Sequence, residues 1–173
     1  MKSNIVLVGM PGSGKSTIGR LLSNRLAMPL IDTDLLIKKK VNKGLQDIIN
    51  KDGIDTFLKI EEETILELCV SNSIISTGGS VIYSEKSMMH LRETGLVIFL
   101  DVTYADMRKR IRNAINRGIV IRKGQSFFDM YNERMPLYNK YSDIAVKCSG
   151  KSSKEIADII TGIYKKHASK VED

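Results

Sequence analysis

The stretch Gly9–Thr17 holds the residue types that bind the phosphates of a nucleotide. Its order fits the phosphate-loop pattern G-x-x-x-x-G-K-[ST] at every defined position. Backbone N–H groups of a glycine-rich turn can point at an anion, and the N-terminus of a following helix adds positive potential. A glycine turn with a chance lysine is the alternative. The apolar run before the loop and the helical spacing after it favour the phosphate site.

Residues of this loop can be given separate tasks. Lys15 would place its charge on the β- and γ-phosphates, which makes it a catalytic candidate. Ser16 would offer its hydroxyl to a magnesium ion, so ATP and Mg2+ are the expected cofactors. The nucleotide-binding residues predicted from the loop are Gly12, Ser13, Gly14, Lys15, Ser16 and Thr17.

Two carboxylates, Asp32 and Asp34, follow the short apolar run 28–31. Ligands bind at strand ends in open parallel sheets, and side chains two residues apart on an extended chain point to the same side. One carboxylate could reach the water shell of a magnesium ion, while the other could accept a hydrogen bond from a substrate hydroxyl and help to deprotonate it. Alternatively, Asp34 only caps the helix that follows.

These residues need alternating strands and helices to bring them together. Apolar runs predict five strands, at 5–8, 28–31, 73–77, 96–100 and 143–146. Helical spacing predicts helices over 17–26, 35–40, 44–53, 54–70, 85–93, 103–112, 126–141 and 152–163. The repeated strand–helix order predicts an α/β fold of the P-loop type, an α/β/α arrangement with a five-stranded parallel sheet. The two successive helices at 44–53 and 54–70, between the second and third strands, predict an insertion at one edge of the sheet.

Two further segments could close on a ligand. Residues 113–124 show little apolar periodicity and carry basic residues beside glycines. Such a segment after a helix is a candidate lid, which closes over phosphates and excludes water; a solvated basic loop is the alternative. The pair Gly78-Gly79 follows the third strand and would let the backbone approach a ligand closely, although an ordinary turn explains it equally well.

The composition is that of a single globular domain over residues 1–173, with 42% hydrophobic and 27% charged residues. The net charge of +7 suits nucleotide phosphates and an acidic substrate. We expect no nucleic acid partner, because no aromatic residues interleave with the lysine runs at 38–40 and 165–166. Cys69 and Cys148 form neither a zinc nor a disulfide pattern, and no apolar run could span a membrane. We therefore expect a cytoplasmic monomer.

The ordered motifs resemble those of the shikimate kinases, within the nucleoside-monophosphate-kinase structural group. Beyond the phosphate loop, the matching positions are Asp32-x-Asp34, Gly53-x-x-x-Phe57 leading to Glu61, Gly78-Gly79, Arg110, Arg117, Arg134 with Pro136-Leu137-Tyr138, and Tyr141-x-Asp143. The resemblance covers nearly the whole chain. It implies a small-molecule kinase that transfers the γ-phosphoryl group of ATP to a hydroxyl of shikimate.

For the acceptor, the resemblance implies a site built on the helical insertion at 34–72 and on two later segments. Asp34 and Gly79 would contact the acceptor, and Arg134 would pair with its carboxylate. Asp34 would also be catalytic, because it would orient or deprotonate the hydroxyl that receives the phosphoryl group.

For the nucleotide, the resemblance implies contacts outside the phosphate loop. Arg117 would be the lid arginine, a catalytic residue on the transferring phosphoryl group. Arg110 would lie near the adenine. Asp32 would support the magnesium ion together with Ser16.

Three positions depart from the pattern of this family. Leu58 stands where a second arginine would hold the carboxylate of shikimate, Ser80 replaces a third glycine, and Gly118 replaces a proline after the lid arginine. Two arginines hold a carboxylate more firmly than one. Shikimate is the first acceptor expected from the resemblance. Because one of the two arginines is replaced by Leu58, another small hydroxy acid or polyol is the second. A nucleotide-binding switch without an acceptor is the third, which the lack of an Asn-Lys-x-Asp guanine motif disfavours.

Overall fold

Strands and helices alternate around one parallel sheet in the computed structural model, which describes residues 2–111 and 118–169. The elements in this range are β1 (Asn4–Val8), α1 (Lys15–Leu26), β2 (Leu30–Asp32), α2 (Thr33–Val41), α3 (Leu45–Asp52), α4 (Ile54–Leu66), β3 (Ile74–Ser76), a 3₁₀-helix (Val81–Tyr83), α5 (Glu85–Thr94), β4 (Gly95–Asp101), α6 (Tyr104–Ile111), α7 (Phe127–Tyr141), β5 (Ile144–Lys147) and α8 (Ser153–Ser169). All five predicted strands are present, so the predicted α/β P-loop fold is confirmed.

The sheet has the order β2-β3-β1-β4-β5, and every neighbouring pair is parallel. On either side of the central strand β1, Val6 lies opposite Ile75 and Val97. Since β3 lies between β1 and β2, the turn after β3 emerges between the phosphate loop and Asp32. The sheet order thus places three of the predicted site segments side by side at the carboxyl ends of adjacent strands.

The main core surrounds β1, whose five residues are all buried, as expected for a parallel sheet covered on both faces. Phe99 of β4 stacks on Tyr138 of α7, with ring centroids 4.9 Å apart. A second, smaller core lies within the helical insertion. It consists of Ile37, Leu45, Ile48, Phe57 and Val120. Because this core joins α2, α3 and α4, it holds the insertion in place beside the sheet.

Several boundaries differ from the sequence-based predictions. The first helix begins at Lys15 rather than at 17, directly after Gly14, and α4 ends at Leu66 rather than at 70. The 3₁₀-helix was not predicted; Tyr83 N closes it by donating to Ser80 O. Of the predicted lid, 113–117 lies outside the described residues, and 118–124 forms neither helix nor strand. Within the part of the chain that the structure describes, no helix combines the length and apolar character that a membrane crossing requires.

Candidate active site

The phosphate loop joins β1 to α1 through backbone angles that favour glycine. Gly14 caps α1 with φ 100°, in the left-handed region, and its carbonyl accepts a hydrogen bond from Ile18 N. A Cβ on Gly9 would lie 2.9 Å from Ser13 Oγ and 3.0 Å from Leu100 O, so a side chain cannot fit there. The loop therefore curls tightly enough for its N–H groups to surround an anion.

Lys15 is buried and lies across its own loop. Its Nζ donates to Gly9 O at 2.7 Å and to Met10 O at 2.9 Å. Burial lowers the pKa of Lys15 from 10.5 to about 8; the charge of Arg134 lowers it further, while the Asp34 carboxylate opposes the change. The third partner of Lys15 Nζ is Ser13 Oγ at 3.4 Å. With only uncharged partners in the loop, the ammonium is poised for the negative charge of a phosphate.

Ser16 and Asp32 form the oxygen pair predicted to support magnesium. Ser16 Oγ donates to Asp32 Oδ2 at 2.9 Å. Asp32 Oδ1 accepts from the backbone N–H groups of Asp34 and Leu35, so Asp32 is the residue that caps α2. The alternative that Asp34 is only a helix cap is therefore wrong. A hydroxyl and a carboxylate at this point fit a hard cation that retains several waters.

Two further nucleotide residues, Arg110 and Arg117, were predicted outside the loop. Arg110 Nη1 donates to Gly12 O at 3.3 Å and to Ser13 O at 3.4 Å. These bonds place Arg110 of α6 against the backbone of the phosphate loop. Arg117, predicted in the lid, lies outside the described residues.

Arg134, on α7, is only 1% exposed and is held by uncharged groups. Its guanidinium donates to Tyr83 Oη at 3.1 Å, to Gly79 O at 3.2 Å and to Val120 O. The guanidinium carbon also lies 5.1 Å from the centroid of the Tyr83 ring. None of the ion pairs within 2–111 and 118–169 includes Arg134. A buried guanidinium with only neutral partners favours an anionic ligand.

Most of the predicted site residues that the structure describes meet at one cleft of about 360 Å³, which we call the main cleft. It is lined by Pro11, Gly12, Gly14, Lys15, Ser16, Thr17, Arg20, Asp32, Asp34, Leu35, Lys38, Phe57, Thr77, Gly78, Gly79, Ser80, Gly118, Ile119, Val120 and Arg134. Ser13 and Arg110 are the predicted residues, among those the structure describes, that do not line it. The phosphate loop and the guanidinium of Arg134 thus face the same space.

Sequence reasoning missed a buried pair beneath the acceptor side. Ser80 Oγ donates to Glu61 Oε2 at 2.7 Å, and Glu61 is 2% exposed. Burial raises the pKa of Glu61 from 4.5 to about 7; the negative charge of Asp34 also raises it, while Arg134 and the hydrogen bond from Ser80 lower it. The signal was available, because the family's third glycine is a serine here and its second arginine is Leu58.

Tyr83 was missed as well, and no local pattern pointed to it. It belongs to the unpredicted 3₁₀-helix, and it contacts Arg134 from 51 residues away. The carbonyl of Gly79 also accepts a hydrogen bond of 2.6 Å from Tyr138 Oη. Tyr83 and Tyr138 therefore fix the position of Arg134 and of the glycine turn that it contacts.

Comparison with known proteins finds relatives that align with almost the whole chain. The family model described as "Shikimate kinase" matches residues 11–164. Shikimate kinase of Dehalococcoides mccartyi is 30% identical over 168 residues, and the alignment covers 96% of both chains. A solved structure, "Shikimate kinase from Acinetobacter baumannii in complex with shikimate", superposes with a TM-score of 0.88 at 26% identity, covering 95% of this chain and 94% of that one.

A relative with a different name is also similar. Threonine synthase-like 1 of Mus musculus is 36% identical over 167 residues. The alignment covers 95% of this chain but only 22% of the mouse protein, so the chain corresponds to about a fifth of that relative's length.

Proposed function

This chain belongs to the shikimate kinase family, and from that premise we propose that it phosphorylates a hydroxyl of shikimate to give shikimate 3-phosphate. As a member of this family, it is a small-molecule kinase that uses ATP and Mg2+. The observation that carries the choice of an acidic acceptor is that the phosphate loop and the buried guanidinium of Arg134 line one cleft.

On the nucleotide side, we assign phosphate binding to residues 12–17 and a place near the adenine to Arg110. Lys15 holds charge at the β- and γ-phosphates, where negative charge shifts during transfer. Ser16 and Asp32 would hold a magnesium ion through their oxygens, and such an ion would supply positive charge to the phosphates. Arg117 would act on the transferring phosphoryl group. It belongs to the lid at 113–124, which would exclude water when it closes over the phosphates.

On the acceptor side, Arg134 pairs with a carboxylate of the acceptor, and Gly79 and Asp34 contact the rest of the molecule. The acceptor oxygen attacks the γ-phosphorus as the bond to the bridging oxygen of ADP breaks, and the hydroxyl proton passes to Asp34. The contacts of Arg134 with Tyr83 and Gly79 support this assignment, because they hold the guanidinium in one orientation.

A second acceptor class is favoured by Leu58. This residue removes the second cation expected for a shikimate carboxylate, and Ser80, not a cation, is the hydrogen-bond partner of Glu61. A small hydroxy acid or polyol that needs only one guanidinium would be received by the same chemistry.

We also propose one kinase domain over 1–173, in which the helices at 34–72 hold the acceptor. The small core of α2, α3 and α4 supports a separate role for this insertion. A monomeric state and a cytoplasmic location remain part of the proposal, and the free thiols of Cys69 and Cys148 suit a reducing compartment.

Phosphoryl transfer from ATP to a panel of small hydroxy compounds, shikimate included, tests the function. With Mg2+ present, ADP release is followed by a coupled assay and the phosphorylated product by ³¹P NMR. We expect at least one acceptor to stimulate ADP release strongly, and Lys15→Ala to abolish transfer while its circular dichroism spectrum is unchanged. Slow ATP hydrolysis that is the same with every compound would instead indicate a nucleotide-binding protein without an acceptor.

A further inference from the structure

A second cleft, of about 220 Å³, lies beside the main cleft and shares Ser80 with it. It is lined by Leu58, Lys59, Glu61, Glu62, Ser80, Val81, Tyr83, Ser84 and Ser87. Among the described residues, two buried side-chain oxygens have no hydrogen-bond partner, Glu61 Oε1 and Ser87 Oγ, and both belong to this lining. Buried polar groups are almost always paired, so these two atoms indicate a missing ligand group.

Glu61 Oε1 is directed toward the acceptor side of the main cleft. A Cβ on Gly78 would overlap Glu61 Oε1 and would lie 3.0 Å from Asp34 Oδ1. Oxygens of two carboxyl groups therefore lie beside Gly78, and Glu61 Oε1 occupies the place that a Gly78 side chain would take. Gly78 and Asp34 both line the main cleft, so the buried Glu61 Oε1 lies next to residues that an acceptor held there would contact.

Within residues 2–111 and 118–169, no cation forms an ion pair or a hydrogen bond with Glu61. Position 58 lies one helical turn before Glu61 on α4, where a basic side chain could reach the carboxylate, but Leu58 is apolar. Lys59 lies at the rim of the second cleft; its side chain is exposed, and none of the ion pairs among described residues joins it to Glu61.

The two buried cations nearby are directed elsewhere. Lys15 Nζ contacts carbonyls of the phosphate loop, and the guanidinium of Arg134 contacts Tyr83, Gly79 and Val120. Both lower the pKa of Glu61 from a distance, but neither donates a hydrogen bond to it. Because none of the described residues donates to Glu61 Oε1, a bound acceptor is the donor that we consider for this atom.

We propose that the acceptor carries an ammonium group that pairs with Glu61, in addition to the hydroxyl near Asp34 and the carboxylate on Arg134. This inference rests on the proposed kinase function and specifies the second acceptor class given above as hydroxy amino acids, in place of shikimate. An ammonium offers several N–H donors on one atom, so it can bond Glu61 Oε1 and still face the carboxylate of Asp34. It would supply the positive charge that Leu58 does not provide.

Matched acceptor pairs that differ by one amino group test the substrate class. We would compare 3-hydroxypropanoate with serine, and 4-hydroxybutanoate with homoserine, by kcat/KM with ATP and Mg2+. For at least one pair, we expect the amino compound to exceed its partner by about tenfold or more, as for a gain of one charge-assisted contact. Shikimate should be a poorer acceptor than that amino compound.

Variants of α4 then assign the preference to Glu61. Glu61→Gln keeps the size of the side chain and should bring the ratio within the pair close to one. Glu63→Gln, a matched change at an exposed position of the same helix, should leave the ratio unchanged. Leu58→Arg places a cation one turn from Glu61 and should shift the preference toward acceptors without an amino group.

Each outcome decides between the two proposals. If wild-type protein phosphorylates the compounds without an amino group, or shikimate, as well as the amino compounds, the inference is overturned and the kinase function stands. If the wild type binds ATP but phosphorylates no acceptor in the panel, the proposed function fails as well. Should Glu61→Gln not fold, the wild-type ratio together with the Leu58→Arg shift still decides the substrate class.

Discussion

Ser80 donates its hydroxyl hydrogen to Glu61 Oε2 across 2.7 Å, linking the glycine turn after β3 to the helix that carries Leu58. Two departures from the family pattern therefore occur at one place in the structure. At position 58 a cation is lost, and at position 80 a hydroxyl donor is gained beside the same carboxyl group. Burial explains why this carboxyl group titrates near neutral pH.

The stability of the protein should fall as pH rises from 4.5 to 7. Burial raises the pKa of Glu61 to about 7 in the folded state, from 4.5 when unfolded, so folding favours the protonated form. The stabilisation is complete below pH 4.5 and is lost as pH rises through the folded value. At pH 8 the loss from this group is about 3 kcal/mol, and Glu61→Gln should remove it.

Urea denaturation of wild type and Glu61→Gln at pH 4.5 and pH 8 measures this difference. Asp34, Arg134 and Lys15 also act on Glu61, so the comparison is made between proteins at each pH. Glu63→Gln serves as the control, because it removes an exposed carboxylate from the same helix. Equal pH dependence in wild type and Glu61→Gln would contradict the prediction.

Nucleotide binding at pH 8 should take up protons through Lys15. Because burial lowers its pKa to about 8, roughly half of the lysine is neutral at that pH. A bound phosphate raises the pKa again, so each ADP bound should take up about half a proton. Calorimetric titrations in two buffers of different ionisation enthalpy measure the uptake. Lys15→Arg, whose guanidinium stays protonated, should bind ADP without it.

Asp32→Asn should weaken the binding of Mg2+ at the site while leaving α2 intact. Asparagine caps helices as well as aspartate does, so the bonds to the N–H groups of Asp34 and Leu35 persist. The lost charge should raise the Mg2+ concentration for half-maximal activity by about tenfold. Asp55→Asn, an exposed first-turn residue of α4, is the control. An unchanged Mg2+ dependence would show that Asp32 serves only as a cap.

Arg134→Lys should raise the KM for the acceptor by about 10- to 100-fold, with a smaller effect on kcat. An ammonium cannot reproduce the fork that contacts Tyr83, Gly79 and Val120 together. Loss of these buried hydrogen bonds should also lower the free energy of unfolding by about 1–3 kcal/mol. Steady-state kinetics and urea denaturation test both effects. Arg92→Lys, in a partly exposed ion pair with Asp143, should change neither.

Leu58→Arg should tighten shikimate binding by about tenfold or more, because it restores a guanidinium beside the acceptor side. Its stem would enter the second cleft, where Leu58 and Glu61 already lie one helical turn apart. Calorimetric titration of both proteins with shikimate, in the presence of ADP, measures the gain. Tight wild-type binding with no gain in the variant would mean that another basic residue already replaces the missing arginine.

Local patterns were sufficient to predict the strand–loop–helix unit around Lys15 and the five strands of the sheet. Their hydrogen bonds and apolar periods involve residues close together in the chain, so a short window contains the information. Asp32 was also singled out from the sequence, as a magnesium residue, and the structure places it in the lining of the main cleft. The residue suggested as the helix cap was Asp34, whereas Asp32 is the cap.

The pairing of Glu61 with Ser80 and the enclosure of Arg134 by Tyr83 and Gly79 could not be predicted from such windows. These partners are separated by 19 to 55 residues, and they meet because β3 lies between β2 and β1 in the sheet. Strand order depends on how whole elements cross over and bury their apolar faces, which no single segment specifies. The same packing buried Glu61 and so raised its pKa, a property of its surroundings that residue type alone does not contain.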